Sequence, residues 1–397
     1  MKIDKIFELD EIAKKDALKY AKKRFLFDTI TELKGKHFKG IIGPRGTGKT
    51  ILLKQLANYY KKSIYISADT LDRDEDLFSL LKELNKKYDI RNVFIDEIHF
   101  NIGYAKHLKN IYDFLELNLF FTSSVAISLE TSYDLSRRVN LYLLSPFSFR
   151  EYIFFNKDIL LKEISFDDIL SENFNDYPKY EYLFKDYLSG GNYPISIEEN
   201  NLLPLLSNIL KKIIYSDIAV FGNLNFNELD SIENIVKFIG KSHVEGISFS
   251  SVSKNTGITK YKAIQYLKLL EKSFVINIVY PKGTNVLKEP KVLMRVPYRL
   301  LYRKQEDVMG YLKEDFFIDM LKAKGIKVYY LKSKQGRKIP DYLVQTKDKE
   351  IVVEIGGKGK GFSQFKGIKI KDKLILTYPS SSDISKKKPL FLVGFLY

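Results

Sequence analysis

Gly43-Pro44-Arg45-Gly46-Thr47-Gly48-Lys49-Thr50 carries the residue types needed to hold a chain of phosphates. Its glycines let backbone N–H groups curl around anionic oxygens, and the helix expected to start at Lys49 adds the positive end of its dipole. In this phosphate-loop pattern Lys49 reaches the β- and γ-phosphates, and the Thr50 hydroxyl ligates Mg²⁺. Phe38-Lys39-Gly40-Ile41-Ile42 before it reads as a short strand, and Ile51-Leu52-Leu53 after it continues a helix. A chance glycine-rich turn lacks that setting. ATP and Mg²⁺ are therefore the expected ligands.

A second acidic element follows at Val93-Phe94-Ile95-Asp96-Glu97. An apolar strand ending in two carboxylates places them at the carboxyl edge of a parallel sheet, where ligands bind in such folds. Asp96 is expected to hold Mg²⁺ through water, and Glu97 to orient and deprotonate an attacking water. The Asp-Glu pair favours ATP hydrolysis over a GTPase switch. A further strand ends at Phe120-Phe121-Thr122-Ser123-Ser124, and a polar side chain there can position the water. Thr122, Ser123 and Ser124 are all candidates, against the plainer reading of a Ser/Thr turn.

The elements that must position these groups alternate. Residues 10–34 have helical spacing of apolar positions, followed by the strand 38–42 and a helix from about Lys49 to Tyr60. Strands at Ser63–Ser67, Asn92–Asp96 and Leu117–Thr122 are separated by helices at Leu77–Tyr88 and Tyr104–Leu115. Such alternation predicts an α/β fold, a parallel sheet with helices on both faces. After Pro146 the pattern turns helical to about 220. Residues 231–296 read as three helices and a hairpin, and from 311 a helix precedes several strands. The expected divisions are 1–150, 151–225, 226–300 and 301–397.

With these residues in place, a family resemblance emerges. The phosphate loop, Asp96-Glu97, Thr122-Ser123-Ser124, Leu135-Ser136-Arg137-Arg138-Val139 and Leu144-Ser145-Pro146-Phe147-Ser148-Phe149-Arg150-Glu151-Tyr152 together resemble the archaeal and bacterial AAA-type ATPase superfamily. Gly190-Gly191-Asn192-Tyr193-Pro194 is similar to the family's Gly-Gly-x-Pro turn. The likeness is tight through about 150 and loose beyond. It implies an arginine that senses the γ-phosphate, in cis or from a neighbouring subunit, and Arg138 falls on that position. Arg137 stands where the family has Gly, so either arginine is a candidate, and two plain surface arginines are the alternative. An arginine acting in trans implies a homo-oligomer, a ring such as a hexamer.

Charge is unevenly distributed. The net charge is +16, yet residues 251–397 hold 31 basic and 13 acidic residues. The excess therefore lies wholly in the last third, which suits a polyanion such as DNA. A Lys-rich, AT-biased genome would produce a similar composition. Segment 151–200 runs the other way, with 4 basic and 11 acidic residues. Residues 231–296 suggest a winged helix. Its last helix would start near Thr259, Lys260, Tyr261 and Lys262, and Lys282 would lie in the wing. These five are the expected DNA contacts, mainly to phosphate and weakly sequence-specific. Protein docking is the other common use of such a module.

The C-terminal region resembles a metal-dependent nuclease fold whose signature is Pro-Asp, a spacer, then Glu-x-Lys. Pro340-Asp341 and Glu354 fit it, with Glu314 on the preceding helix. Gly356 occupies the place of the usual Lys, and Lys358 comes two residues later. That departure puts nuclease activity in doubt and favours a degenerate domain kept for DNA or subunit contact. Lys358, Lys360, Lys366, Lys369 and Lys371 would suit any polyanion.

Composition removes other classes. The chain of 397 residues has no Cys, so disulfides, thiol catalysis and Cys-ligated zinc are excluded. No apolar run approaches the ~20 residues of a membrane span, and Met1-Lys2-Ile3-Asp4-Lys5 lacks the apolar core of a secretion signal, so a cytoplasmic location is expected. The leading expectation is a DNA-associated Mg²⁺-dependent ATPase that remodels or moves along DNA, similar in domain order to branch-migration motors. A nucleotide-gated switch that docks a protein or promoter, and an ATP-coupled nuclease, are the alternatives.

Overall fold

The computed structural model describes residues 3–124, 135–199, 201–242, 246–283, 289–331, 339–357 and 361–397. The chain divides into two compact units, Met1–Pro146 and Phe147–Tyr397. The division falls close to the first expected boundary. The expected boundaries near 225 and 300 lie inside the second unit.

The first unit is built on a fully parallel sheet. Its strands are β1 (Phe38–Ile42), β2 (Ser63–Ser67), β3 (Asn92–Asp96), β4 (Asn118–Ser123) and β5 (Val139–Leu143), in the order β2-β3-β4-β1-β5. Strands buried on both faces read as near-continuous apolar runs, and β1 and β3 do so. The centre is tight: a Cβ on Gly40 would lie 2.7 Å from both Leu141 and Phe121 side-chain atoms. Phe94 and Phe120 stack at 4.7 Å across adjacent strands.

Helices α3 (Lys49–Tyr59), α4 (Leu77–Tyr88) and α5 (Tyr104–Phe114) join the strands. In α4, Asp76 caps the first turn by accepting from the Phe78 and Ser79 N–H groups, and Leu77, Leu80, Leu81 and Leu84 form the buried stripe. The expected single lead-in helix is two, α1 (Ile3–Ala17) and α2 (Phe25–Glu32). Arg24 between them is extended, and its buried guanidinium donates to the Thr47 and Ser145 carbonyls. That tertiary anchor outweighs local helical periodicity. Strand β5 also went unforeseen, because a half-exposed edge strand has a weak apolar signal.

In the second unit, Ser148 caps helix α6 (Phe149–Lys157), and Phe149 sits among Phe184, Tyr187, Phe391 and Phe395. The Gly190-Gly191 turn packs on this helix: a Cβ on Gly191 would lie 2.7 Å from the Tyr152 ring. Helix α7 (Leu202–Lys212) follows. Three helices come next, α8 (Phe226–Lys241), α9 (Phe249–Thr256) and α10 (Lys260–Lys272). They precede an antiparallel pair, β6 (Ile276–Val279) and β7 (Lys291–Met294). The long helix α11 (Gln305–Ala323) leads to a mixed sheet of β8 (Lys327–Tyr330), β9 (Tyr342–Gln345), β10 (Glu350–Gly356), β11 (Asp372–Thr377) and β12 (Lys388–Pro389). The order is β12-β11-β10-β9-β8, antiparallel through β8-β9-β10 and parallel through β10-β11-β12.

Helix α11 is buried almost all round, and its two buried carboxylates have partners. Arg299 donates to both oxygens of Asp315, at 2.8 and 3.2 Å, and to the Ile239 carbonyl at the end of α8. Asp319 accepts from Asn277 at 2.7 Å and from the Val296 N–H at 2.9 Å. One helix thus ties the three-helix module to the mixed sheet. Removing one member of a buried pair leaves an uncompensated charge, at a cost of about 3–5 kcal/mol. Arg299→Met should therefore lower the unfolding free energy of the second unit, read from urea denaturation, by about that amount, whereas Arg299→Lys should recover part of the loss.

Candidate active site

The phosphate loop leaves β1 at its carboxyl end and enters α3 through Gly48, which has a positive φ of 84°. No side chain caps α3, so its first N–H groups face the loop. Gly43 is required by contact: a Cβ there would lie 2.2 Å from the Leu144 carbonyl oxygen. Lys49 Nζ donates to the Gly43 and Pro44 carbonyls at 2.9 and 2.8 Å, and Thr47 Oγ1 donates to Pro44 at 2.9 Å. The loop is closed on its own lysine, and Arg24 braces Thr47 from beneath. Pattern reading missed Arg24, which lies outside every motif.

Strand order brings the acidic pair beside the loop. Asp96 ends β3, flanked by β2 and β4. Its carboxylate accepts from Thr50 Oγ1 at 2.8 Å, from Tyr65 OH at 2.9 Å and from Thr122 Oγ1. Burial pushes the Asp96 carboxyl up, and the hydroxyl donors work against that shift. Glu97 is left-handed, with φ 48°, and its N–H donates to Thr122 Oγ1 at 2.8 Å. Burial would raise its carboxyl too, but its neighbours Lys49, His99 and Arg45 outweigh this and hold it low. Glu97 therefore stands as a carboxylate. The Ser124 N–H donates to it at 3.0 Å, Arg45 lies 4.0 Å away, and His99 Nδ1 lies 3.2 Å away.

The three polar residues at the end of β4 separate into different tasks. The Thr122 hydroxyl bridges Asp96 and the Glu97 N–H, and Ser123 Oγ lies 3.2 Å from His99 Nδ1. Neither hydroxyl is aimed at a water beside Glu97 as expected. Ser124 differs: its buried Oγ has no hydrogen-bond partner among the described residues, while its N–H holds Glu97.

Thr50 and Asp96 offer a hydroxyl and a carboxylate already within 2.8 Å of each other at the mouth of the loop. An all-oxygen donor set of this kind fits Mg²⁺, which takes few protein ligands and keeps several waters.

The arginines lie elsewhere. The Arg138 carbonyl accepts from the Phe38 N–H, at the amino end of β1, the edge of the sheet opposite the loop. Five strand residues at about 3.3 Å each separate the two edges. Arg138 instead grips Asp113 with two bonds, at 3.0 and 2.9 Å, and lies over the Tyr112 ring. Arg137 is exposed in the adjoining turn. The expectation of an arginine acting in cis is therefore corrected: neither reaches the loop of its own chain.

In the second unit, Thr259 caps α10 by accepting from the Lys262 N–H, and Tyr261 is exposed. Lys260, Lys262 and Lys282 are exposed but ion-paired, to Glu289, Glu228 and Glu350. By contrast, Lys366, Lys369 and Lys371 are exposed with no ion pair among the described residues. Lys358 and Lys360 lie outside the described residues.

Antiparallel pairing of β9 with β10 sets Asp341 beside Glu354, and Glu314 approaches from α11. Glu314 accepts from Lys291 and from Tyr342 OH, the latter at 2.7 Å. Among the described residues no group of three or more such side chains converges as a metal cage.

Residues 35–153 match a family model described as an AAA domain, and residues 181–295 match a domain of unknown function. The chain is 28% identical to an uncharacterized protein of Methanocaldococcus jannaschii, over 84% of this chain and 80% of the relative. Solved structures with some likeness are AMPPCP-bound DnaA from Aquifex aeolicus and PCH-2 of C. elegans. The first is 19% identical and covers 62% of this chain and 85% of its own, with a TM-score of 0.23. The second is 14% identical and covers 66% and 68%, with a TM-score of 0.22. Loop, acidic pair and strand order, with the match of residues 35–153 to an AAA domain, support a nucleotide-hydrolysing P-loop domain of AAA type in the first unit. Among the described residues no helix is long and apolar enough to cross a membrane.

The Asp341 carboxyl is pushed up to about 7, first by burial, then by Glu314 and Glu354. An unfolded Asp titrates near ~3.9, so between those values the folded chain binds more protons than the unfolded one. Stability contributed at this position therefore falls as pH rises from about 4 to 7. Asp341→Asn keeps an acceptor for the Ile355 N–H, which donates at 2.8 Å. The variant should melt above the parent at pH 8, and thermal scans should show that advantage shrinking toward pH 4.

Proposed function

We propose that the chain is a Mg²⁺-dependent ATPase whose basic second unit binds DNA, with hydrolysis coupled to DNA remodelling or translocation. The observation that carries the ATPase reading is the contact between Thr50 and Asp96, which sets Glu97 beside the phosphate loop. In this reading the backbone of residues 43–48 and Lys49 bind the phosphates. Thr50 and Asp96 hold Mg²⁺, which supplies charge neutralisation on the phosphates when bound. Glu97, kept ionised by its cationic neighbours, takes the proton of the attacking water, and Ser124 Oγ orients that water.

The DNA partner is supported by the basic excess of residues 251–397 and by the exposed Lys366, Lys369 and Lys371. Lys260, Lys262 and Lys282 can also meet phosphate by exchanging a carboxylate for it, which surface pairs permit at little cost. The position of Arg137 and Arg138 opposite the loop supports a homo-oligomer, in which one copy presents them to its neighbour. A second reading, a nucleotide-gated switch that docks a protein, is favoured by the ion pairing of those same three lysines and by the exposed Tyr261.

Steady-state hydrolysis with Mg²⁺ should fall at least ~100-fold in Lys49→Ala and in Glu97→Gln, with ATP binding retained in the latter. Turnover surviving in both would overturn the site assignment. Duplex, single-stranded and four-way-junction DNA should be compared at two salt concentrations, with Glu97→Gln as the blank. Several-fold, salt-sensitive stimulation by one form supports the DNA reading. A DNA-independent rate with no retardation of any DNA at low salt moves the conclusion to the protein-docking switch.

A further inference from the structure

Asp96 has three hydroxyl donors, and two of them belong to recognisable motifs. Thr50 closes the phosphate loop, and Thr122 lies at the end of β4. The third, Tyr65, belongs to no motif. It lies in the middle of β2, paired with Phe94 in β3, and its ring is buried under α3. Its hydroxyl donates to Asp96 Oδ2 at 2.9 Å, the same oxygen that Thr50 approaches at 2.8 Å. The strand carrying it is itself fixed. The Tyr65 N–H donates to Asp10 Oδ1 at 2.7 Å, and Lys14 bonds both Asp10 and the Ser63 carbonyl, at 2.7 and 3.0 Å. Lys54 of α3 pairs with Asp16 at 2.7 Å. Helix α1 thus clamps β2 on one side and α3 on the other.

We propose that Tyr65 is a positioning residue for the metal, orienting the Asp96 carboxylate so that Mg²⁺ is held between Asp96 and Thr50. The inference rests on the ATPase reading of the same site. A carboxylate at the end of a strand rotates about two side-chain bonds, and fixing it needs donors from more than one direction. Thr122 holds Oδ1 from β4, and Tyr65 holds Oδ2 from β2, so the plane of the carboxylate is set from both neighbouring strands. Thr50 also donates to Oδ2, and its oxygen keeps a lone pair for the metal. Partners of this kind, one bond removed from the metal, typically affect metal affinity by about 10–100-fold.

Tyr65→Phe removes one oxygen and leaves the buried ring, so the packing of β2 is retained. The measurement is binding of a fluorescent ATP analogue to the full chain, titrated with Mg²⁺ and repeated in EDTA. The parent protein should bind in a Mg²⁺-dependent manner. In Tyr65→Phe the Mg²⁺ concentration at half-maximal binding should rise about tenfold, with affinity in EDTA unchanged and Tm within a few degrees. Thr122→Val, which removes the opposite donor, should produce a shift in the same direction. Unchanged Mg²⁺ dependence in Tyr65→Phe would overturn the proposal. So would an equal loss of affinity with and without Mg²⁺, which marks a merely structural role. Absence of nucleotide binding by the parent would instead overturn the ATPase reading itself, so the two failures are distinguishable.

Discussion

A carboxylate buried at the end of β3 is the constraint on which the first unit depends. Desolvating an ionised Asp96 is costly unless hydrogen-bond donors replace water. The sheet supplies them through its order. With β2 and β4 on either side of β3, Tyr65 and Thr122 converge on the carboxylate, and the helix that follows β1 brings Thr50. The position of β4 between β1 and β3 also sets Ser124 against Glu97, so one topological fact assembles both the metal ligands and the base.

The same logic of compensated charge organises the second unit. Asp315 and Asp319 are buried on the long helix α11; Arg299, in the turn after β7, donates to Asp315, and Asn277 of β6 donates to Asp319. These contacts knit segments of very different composition into one body, which explains why the expected boundaries near 225 and 300 do not part it. At the surface, pairing has the opposite effect. Lys260, Lys262 and Lys282 stand on the expected contact face, yet each is matched by a carboxylate. Lys366, Lys369 and Lys371, before β11, are exposed with no ion pair among the described residues. Net charge alone does not reveal that division.

Legibility in the sequence followed the range of the interactions. The phosphate loop, the acidic strand end and the alternation of strands and helices are local patterns, and the structure has the loop, the strands and the helices within a few residues of where they were expected. Edge strand β5 was not legible because half its side chains face outward. The break at Arg24 was not legible because its cause lies 23 and 121 residues away, at Thr47 and Ser145. Arg138 matched a family position by spacing alone, and the strand it precedes carried it to the far edge of the sheet.

The sequence by itself determined the fold class, the phosphate loop and the identity of the two carboxylates, because glycine geometry, apolar runs and strand-end acids act over a few residues. Only the tertiary structure decided which hydroxyls serve Asp96, that Ser124 rather than Thr122 or Ser123 is open beside Glu97, and that the arginines face away from their own loop. Those outcomes depend on which strands are neighbours and which edge of the sheet a residue occupies. Both are consequences of long-range burial, which no short stretch of residues encodes.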